Sequence, residues 1–377
     1  MFDYAGRRAR LSERLRAEGV DLLFLGLSAD LEYLTGIERG IPFFGHSSYA
    51  HGWVAGGFFR PDADPVFVLP RMVVTFDLPV RPEGELVVVG ETDDGRAAFE
   101  RVAKGLGAVQ TAAVGDRVWA ETTLELARIF GVDRMRTGSG LVNALRRVKE
   151  PDELEAMGRA CRTVERAMAA VAPRVQPGVT MAELRDEVEL ELRRAGSLTP
   201  SFATHIFSGM DDASLDSGTA TAHQPLPNDS AVMFDFGGVV DGYCSDFGRT
   251  VIVGEPSKEL LDAYEVMLAA AETGRAACRP GALAHEVNAA CRRPIEEAGL
   301  GEHFRHRMGH GIGLDIHERP FLSAEDETPL EAGMTFTDEP SLIVHGSYGL
   351  RIENVVVCAE RGACVLNDYP DDLVVNG

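Results

Sequence analysis

Along the first third of the chain, short apolar runs alternate with longer stretches of helical period. Residues 6–19 place Leu11 and Leu15 four apart among arginines and glutamates, which predicts an amphipathic helix. VDLLFLGL (20–27) then forms a near-continuous apolar run of strand length, and PVFVLP (65–70), ELVVVG (85–90) and AVGD (113–116) add three more. RAAFERVAKGLG (96–107) and ETTLELARIFG (121–131) return to helical spacing between and after them. Strands alternating with helices predict a small α/β domain over residues 1–140. In RMRTGSGLVNALRRVKE (134–150) turn residues give way to a charged helix start, and EPDELEAM opens a long helix with Pro151 in its first turn. That linker helix, beginning within 147–157, leads into a second domain over residues 150–377.

The second domain carries an internal repeat. VQPGVTMAELRDEVELELRRAG (175–196) and CRPGALAHEVNAACRRPIEEAG (278–299) are each 22 residues long and lie 103 apart. Both run from Pro-Gly through a helix to a closing Ala-Gly, and both follow an Ala-rich helix, residues 153–172 and 257–277. A strand-rich section comes after each copy. Duplication of this kind predicts an α+β domain with a pseudo-two-fold axis and a cleft where its halves face.

Polar residues interrupt the apolar strands of that domain at matched places. Asp235 breaks AVMFDF and Asp246 follows in the first half; Glu339 ends an apolar strand and Glu353 sits inside another in the second. Asp235 to Glu339 is 104 residues and Asp246 to Glu353 is 107, close to the repeat spacing. Buried carboxylates converging on one axis repel unless cations neutralise them. Two divalent metals bridged by carboxylates are the usual answer. HRMGHGIGLDIHE (306–318) adds three histidines. His306 and His310 stand four apart, but Gly309, Gly311 and Gly313 cost about 1 kcal/mol each in a helix, which argues against a helical ligand pair. Glycines flanking His310 suit close backbone approach instead, with a strand expected from Ile312 to His317. His310 is then the nitrogen ligand, His317 a catalytic neighbour and His306 an accessory near the site. One nitrogen among carboxylates suits manganese first, or cobalt, zinc or iron, over magnesium.

Composition narrows the partners. A net charge of −22, with Lys104, Lys149 and Lys258 the only lysines, disfavours nucleic acid and anionic membranes. No apolar run reaches the ~18 residues of a membrane span. Six scattered cysteines without a C-x-x-C pair read as reduced thiols, so the expected compartment is the cytoplasm.

The order Asp235, Asp246, His310, Glu339, Glu353 resembles the five-ligand set of the pita-bread metallopeptidases, the superfamily of methionine aminopeptidase, prolidase, aminopeptidase P and creatinase. GHGIGLDIHE is similar to that family's GHGIGLxxHE, TDEP to T-x-E-P and RIEN to R-I-E-D; DLEYLTG (30–36) resembles the creatinase-type N-terminal domain and RRVKEPDELEAM the family's linker helix. The resemblance implies a pita-bread C-terminal domain holding two metals, bridged by Asp246 and Glu353, with Asp235 on one and His310 and Glu339 on the other. It implies an activated water as nucleophile, Glu339 as general base, His223 and His317 on the substrate oxyanion, and Arg351 near a substrate carboxylate. A homodimer and an Xaa-Pro dipeptide or peptide N-terminus as substrate follow from the same likeness; the alternative is a small non-peptide metabolite, as in creatinase-like or ectoine-hydrolase-like relatives. A silent binding module on the same fold is argued against by the five retained ligands. Gly248 in SDFGRT, Asp338 in TDEP and Asn354 in RIEN depart from the family pattern, as does the proline spacing after His223. GIPFFGHSSYAHGWVAGGFF (40–59) is either packed strand and turn or an aromatic lid.

Overall fold

The computed structural model describes residues 2–39, 49–78, 80–209, 215–344 and 347–376. The chain divides into two compact units, Met1–Arg146 and Arg147–Gly377.

The first unit opens with α1 (Tyr4–Ala17), whose N-terminus is capped by the Asp3 carboxylate accepting from Gly6 N at 2.8 Å. β1 (Leu22–Gly26) and α2 (Ala29–Thr35) follow, then β2 (Gly56–Phe59), β3 (Val66–Pro70), β4 (Glu85–Val89), α3 (Gly95–Gly105), β5 (Ala112–Val114), α4 (Ala120–Phe130), β6 (Met135–Thr137) and α5 (Ser139–Arg146). The six strands form one mixed sheet in the order β4-β3-β2-β1-β5-β6. Its core gathers Phe24, Phe58 and Phe99, with ring centroids 4.8–5.6 Å apart. Trp53 joins Phe99 at 5.2 Å, so residues 49–59 of the aromatic segment are packed strand and turn. Residues 40–48, the remainder of the expected lid, lie outside the described residues. The short elements α2, β6 and α5 escape a periodicity reading because each is too brief to show a period.

In the second unit the repeat takes physical form. α6 (Pro151–Val171) and α7 (Met181–Arg194) correspond to α8 (Lys258–Ala277) and α9 (Ala284–Glu297). α7 and α9 are both 14 residues long and begin 103 residues apart (284 − 181). α7 starts with Thr180 and Glu183 bonding each other's backbone, and α6 with Glu150 and Glu153 doing the same ahead of Pro151.

Strands β7 (His205–Ser208), β8 (Leu215–Asp216), β9 (Ser230–Phe236), β10 (Val239–Val240), β11 (Tyr243–Cys244) and β12 (Phe247–Val253) belong to the first half. The second half supplies β13 (Gly309–Gly311), β14 (Glu318–Leu322), β15 (Thr335–Asp338), β16 (Ser341–Val344), β17 (Tyr348–Arg351), β18 (Asn354–Val357) and β19 (Cys364–Val365), and β20 (Val374–Asn376) closes the chain. Two five-stranded sheets result, β20-β12-β9-β7-β8 and β14-β13-β15-β18-β19. Each covers its own helix pair through its own apolar core, Val164, Leu184 and Phe234 in one, Met267, Val287 and Phe336 in the other.

One backbone bridge couples the two sheets. Glu353 N donates to Gly248 O at 2.9 Å, with Gly248 opposite Glu353. Glu353 is therefore not inside a strand, as its apolar neighbours predict; it sits at the joint between β17 and β18.

The expected strand from Ile312 to His317 is a second difference. β13 stops at Gly311, and the chain bends through 312–317 before returning as β14. The bend is held from outside its own sequence. Cys244 N donates to Gly313 O at 2.8 Å, and the buried Glu318 carboxylate accepts from Asp315 N and from Lys149 Nζ at 2.9 Å.

β13 itself lies so close to β15 that a Cβ on Gly309 would meet the Thr337 carbonyl oxygen at 1.9 Å. Gly309→Ala should lower stability to chemical denaturation by about 1–3 kcal/mol. An unchanged midpoint and slope would mean β13 can move aside, and with it His310.

Candidate active site

Five side chains meet where the sheets join. Asp235 is carried by β9 opposite Gly248, and Asp246 immediately precedes β12. From the other half come His310 in the middle of β13, Glu339 just past β15, and Glu353 at the joint. One oxygen each of Asp246 and Glu353 and one ring nitrogen of His310 lie within 4.8 Å of one another, all three residues buried. His310 Nε2 is 3.4 Å from Asp246 Oδ2 and 3.4 Å from Glu339 Oε1. Its Nδ1 lies 3.0 Å from the Gly311 carbonyl, which places a proton on Nδ1 and turns Nε2 toward the carboxylates.

Asp235 is tied in by Arg351, whose Nη1 donates to its Oδ2 and lies 3.6 Å from Glu353 Oε2.

Burial raises the pKa of Asp235 and Glu339 and pushes Glu353 well above its usual value, the Asp246 charge adding to the last. For His310 burial acts the other way, but Asp246 and Glu339 overcome it and raise its pKa. These carboxylates are held together against their own repulsion. Asp246 Oδ1 and Glu353 Oε2 are buried and accept no hydrogen bond. Each such oxygen costs about 1–3 kcal/mol. Carboxylate oxygens beside an imidazole lone pair form a donor set that fits divalent cations.

The sequence model of metallopeptidase family M24 matches residues 155–360, more than half of the chain and all five of these residues. The chain belongs to metallopeptidase family M24. This peptidase is 33% identical over 314 residues to the probable dipeptidase PepE of Mycobacterium tuberculosis, a match covering 82% of each chain. Among solved structures, dipeptidase PepE from Mycobacterium ulcerans superposes with a TM-score of 0.85 at 32% identity, over 99% of both chains. Recombinant prolidase from Thermococcus sibiricus superposes at 0.88 with 26% identity, over the whole of both. The second unit is thus a pita-bread domain and the chain a metal-dependent peptidase.

Of the remaining residues singled out in the sequence, the peptidase brings three to the cluster. The His317 ring stands edge-on to His310 at 4.2 Å; the residue is exposed overall, but partial desolvation of its ring, followed by the His310 charge, lowers its pKa to about 4. His306 Nδ1 bonds the Arg307 carbonyl at 2.8 Å and lies 3.8 Å from Glu339 Oε2; burial, then Arg351, likewise holds it near 4. Arg351 is present but already engaged, with Nε donating to Ser341 Oγ at 2.9 Å and Nη1 facing two carboxylates. His223 is exposed, in the turn 219–224 ahead of β9.

Other residues at the site were not foreseen. Thr337 Oγ1 donates to Glu339 Oε1 at 3.1 Å and accepts from His310 N at 3.0 Å, joining ligand-bearing strands. Thr337 and Ser341 stand two residues either side of Glu339, a period-2 signal that was available in the sequence. His205 lies opposite Asp235 in the β7–β9 register, which only strand pairing reveals.

The departures from the family pattern find physical reasons. A Cβ on Gly248 would meet Arg351 Cδ at 2.6 Å and Glu353 Oε2 at 2.9 Å, so the arginine passes where a larger residue would stand. Asp338 and Asn354 are cross-strand partners behind the site. Asn354 Oδ1 accepts from Arg249 Nη2 at 2.8 Å and its Nδ2 donates to Asp371 Oδ1 at 2.9 Å. Arg249 is fully buried and also donates to the Glu353, Gly248, Tyr369 and Pro370 carbonyls. Asp338 is fully buried, 3.2 Å from Arg275 Nε, and burial pushes its pKa up to about 7. The apolar-plus-acidic pair of the family pattern has become acidic-plus-amide, which moves the carboxylate one strand across.

Asn354→Asp alone should destabilise by about 1–2 kcal/mol, setting a carboxylate against Asp371 and losing the amide donor. Combining it with Asp338→Ile restores the family arrangement and should recover most of that loss. Denaturation of all four proteins checks this: strict additivity would show that the two positions do not share one network.

Proposed function

We propose that this peptidase is a dinuclear Xaa-Pro dipeptidase. The observation that carries it is the convergence of Asp246, His310 and Glu353 with two carboxylate oxygens left unbonded, in a chain akin throughout its length to a dipeptidase and a prolidase. In this reading Asp235, Asp246, His310, Glu339 and Glu353 would hold two metals between them, with Asp246 and Glu353 common to both. The mixed oxygen and nitrogen set favours manganese, with cobalt, zinc or iron as substitutes. The bound ions supply Lewis acidity, making a water acidic enough to ionise near neutral pH and polarising the scissile carbonyl.

The chain's own groups do the rest. Glu339 takes the proton of the attacking water; Thr337 orients its Oε1, and its Oε2 faces His306. His317, neutral above about pH 4, donates a hydrogen bond to the carbonyl oxygen as negative charge develops there. His223, in its exposed turn, serves the same oxygen in this reading. Arg351 holds Asp235 and Glu353 in place and balances part of their charge. We place the enzyme in the cytoplasm, its described cysteines being free thiols, and expect a homodimer.

Manganese-loaded enzyme should hydrolyse Ala-Pro faster than Xaa-Pro-initiated longer peptides, and creatine-like amides not at all. Glu339→Gln should lower kcat by about 10²–10⁴ while the protein still folds and binds metal. Full activity in that variant removes Glu339 as base. Turnover of small metabolites without any Xaa-Pro cleavage sinks the dipeptidase reading.

A further inference from the structure

A dipeptide differs from the end of a longer peptide by one group, the carboxylate on the residue after the scissile bond. Recognising it needs a cation with free donors. Arg351 has its Nε on the Ser341 hydroxyl and its Nη1 on Asp235 and beside Glu353 inside the cluster, which leaves only Nη2. Arg249 is saturated behind the sheets.

Arg307 is different. Among the described residues its side chain makes no hydrogen bond and no ion pair, and its Nε is buried without a partner. That is unexpected in a chain with 59 acidic against 37 basic residues, where a free guanidinium has many carboxylates to choose from. Its guanidinium carbon stands 4.9 Å from the centroid of Phe321, so the flat face rests on the ring and the N–H edge is left to other acceptors. Phe321 is the cross-strand partner of His310. Paired residues share a face with Cβ atoms about 5 Å apart, which puts Phe321 beside the His310 imidazole on the wall of the site. The Arg307 charge also reaches both other imidazoles of that wall, depressing His306 and His317. A dipeptide's terminal carboxylate lies one residue beyond the scissile carbonyl, ~3.8 Å from one Cα to the next. A group over the ring that flanks His310 is placed to meet it. Arg319 also approaches Phe321, at 5.8 Å, but is exposed.

We infer that Arg307, seated on Phe321, binds the terminal carboxylate of a dipeptide substrate and so selects dipeptides over longer peptides. The inference deepens the dipeptidase reading and rests on it. Arg307 is a specificity residue; the bond-breaking groups lie elsewhere.

The test compares Ala-Pro with Ala-Pro amide, which lacks the carboxylate charge, and measures binding of L-proline and prolinamide by calorimetry in wild type, Arg307→Gln and Arg307→Lys. Loss of a charged hydrogen-bond pair predicts that Arg307→Gln loses about 30-fold or more in kcat/KM on Ala-Pro, mainly through KM. It should change less than about threefold on the amide, and proline affinity should fall while prolinamide affinity stays. Arg307→Lys should fall between, keeping the charge without the planar fork. Equal losses on acid and amide, or none on either, overturn the inference. If wild type spares Ala-Pro but cuts another dipeptide, the Xaa-Pro reading fails and the same acid-against-amide contrast on that dipeptide still decides the role of Arg307.

Discussion

The second unit is organised around one costly contact, the backbone bridge at which Gly248 of one half meets Glu353 of the other. Asp235 stands opposite Gly248 and Asp246 two residues before it. Asp235 and Asp246 come from the strand pair β9–β12, and His310, Glu339 and Glu353 from the strands of the second sheet. Packing those carboxylates below the surface strips them of water and sets them against each other, which neither half would tolerate alone. Arg351 supplies one internal positive charge, and the unbonded oxygens of Asp246 and Glu353 mark where further positive charge belongs. The apolar cores of the two halves hold the sheets in register while the site stays electrostatically unbalanced. Stability lent by the helix pairs is spent on a cluster whose compensation arrives with the metal.

Behind the cluster, the buried Arg249, Asp338 and Asn354 with the half-buried Arg275 and Asp371 sustain the same geometry from the rear. Arg249 reaches the carbonyls on both sides of the bridge, Gly248 and Glu353, so a residue that touches no substrate fixes the position of two that matter. Asp338 and Asn354 belong to this set and not to the reaction space. They read as departures in a motif, and they act as a relocated charge within one buried network, leaving the donor set at the front unchanged. Gly248 records a different constraint, the room needed by the Arg351 side chain.

Much of this was legible in the chain. The duplicated helices appear at their expected spacing because Pro-Gly entry and Ala-Gly exit are local signals with local causes. Acids inside apolar strands announced the cluster, since a buried charge demands a partner wherever the strand ends up. What escaped depends on contacts between distant segments. The end of β13 at Gly311 is set by Cys244, Lys149 and β15, none of them near in sequence. The engagement of Arg351 follows from Asp235, 116 residues earlier, and Ser341. His223, similar to a family histidine by order, lies in an exposed turn whose position no periodicity encodes. His205 carries no motif, and only the register β7–β9 brings it to the site; Arg307 sits within the histidine-rich stretch, but its seat on Phe321 depends on the β13–β14 pairing.

The central claim is that the crossing of the two halves forms one shared site for two metal ions. Titrating metal-free protein with manganese by calorimetry, with bound metal counted by mass spectrometry, tests it most directly. The account predicts two ions per chain in wild type, and loss of both from Asp246→Asn, since that carboxylate is shared between them, with the fold retained by circular dichroism. Two ions still bound in Asp246→Asn, or none in wild type, would contradict it.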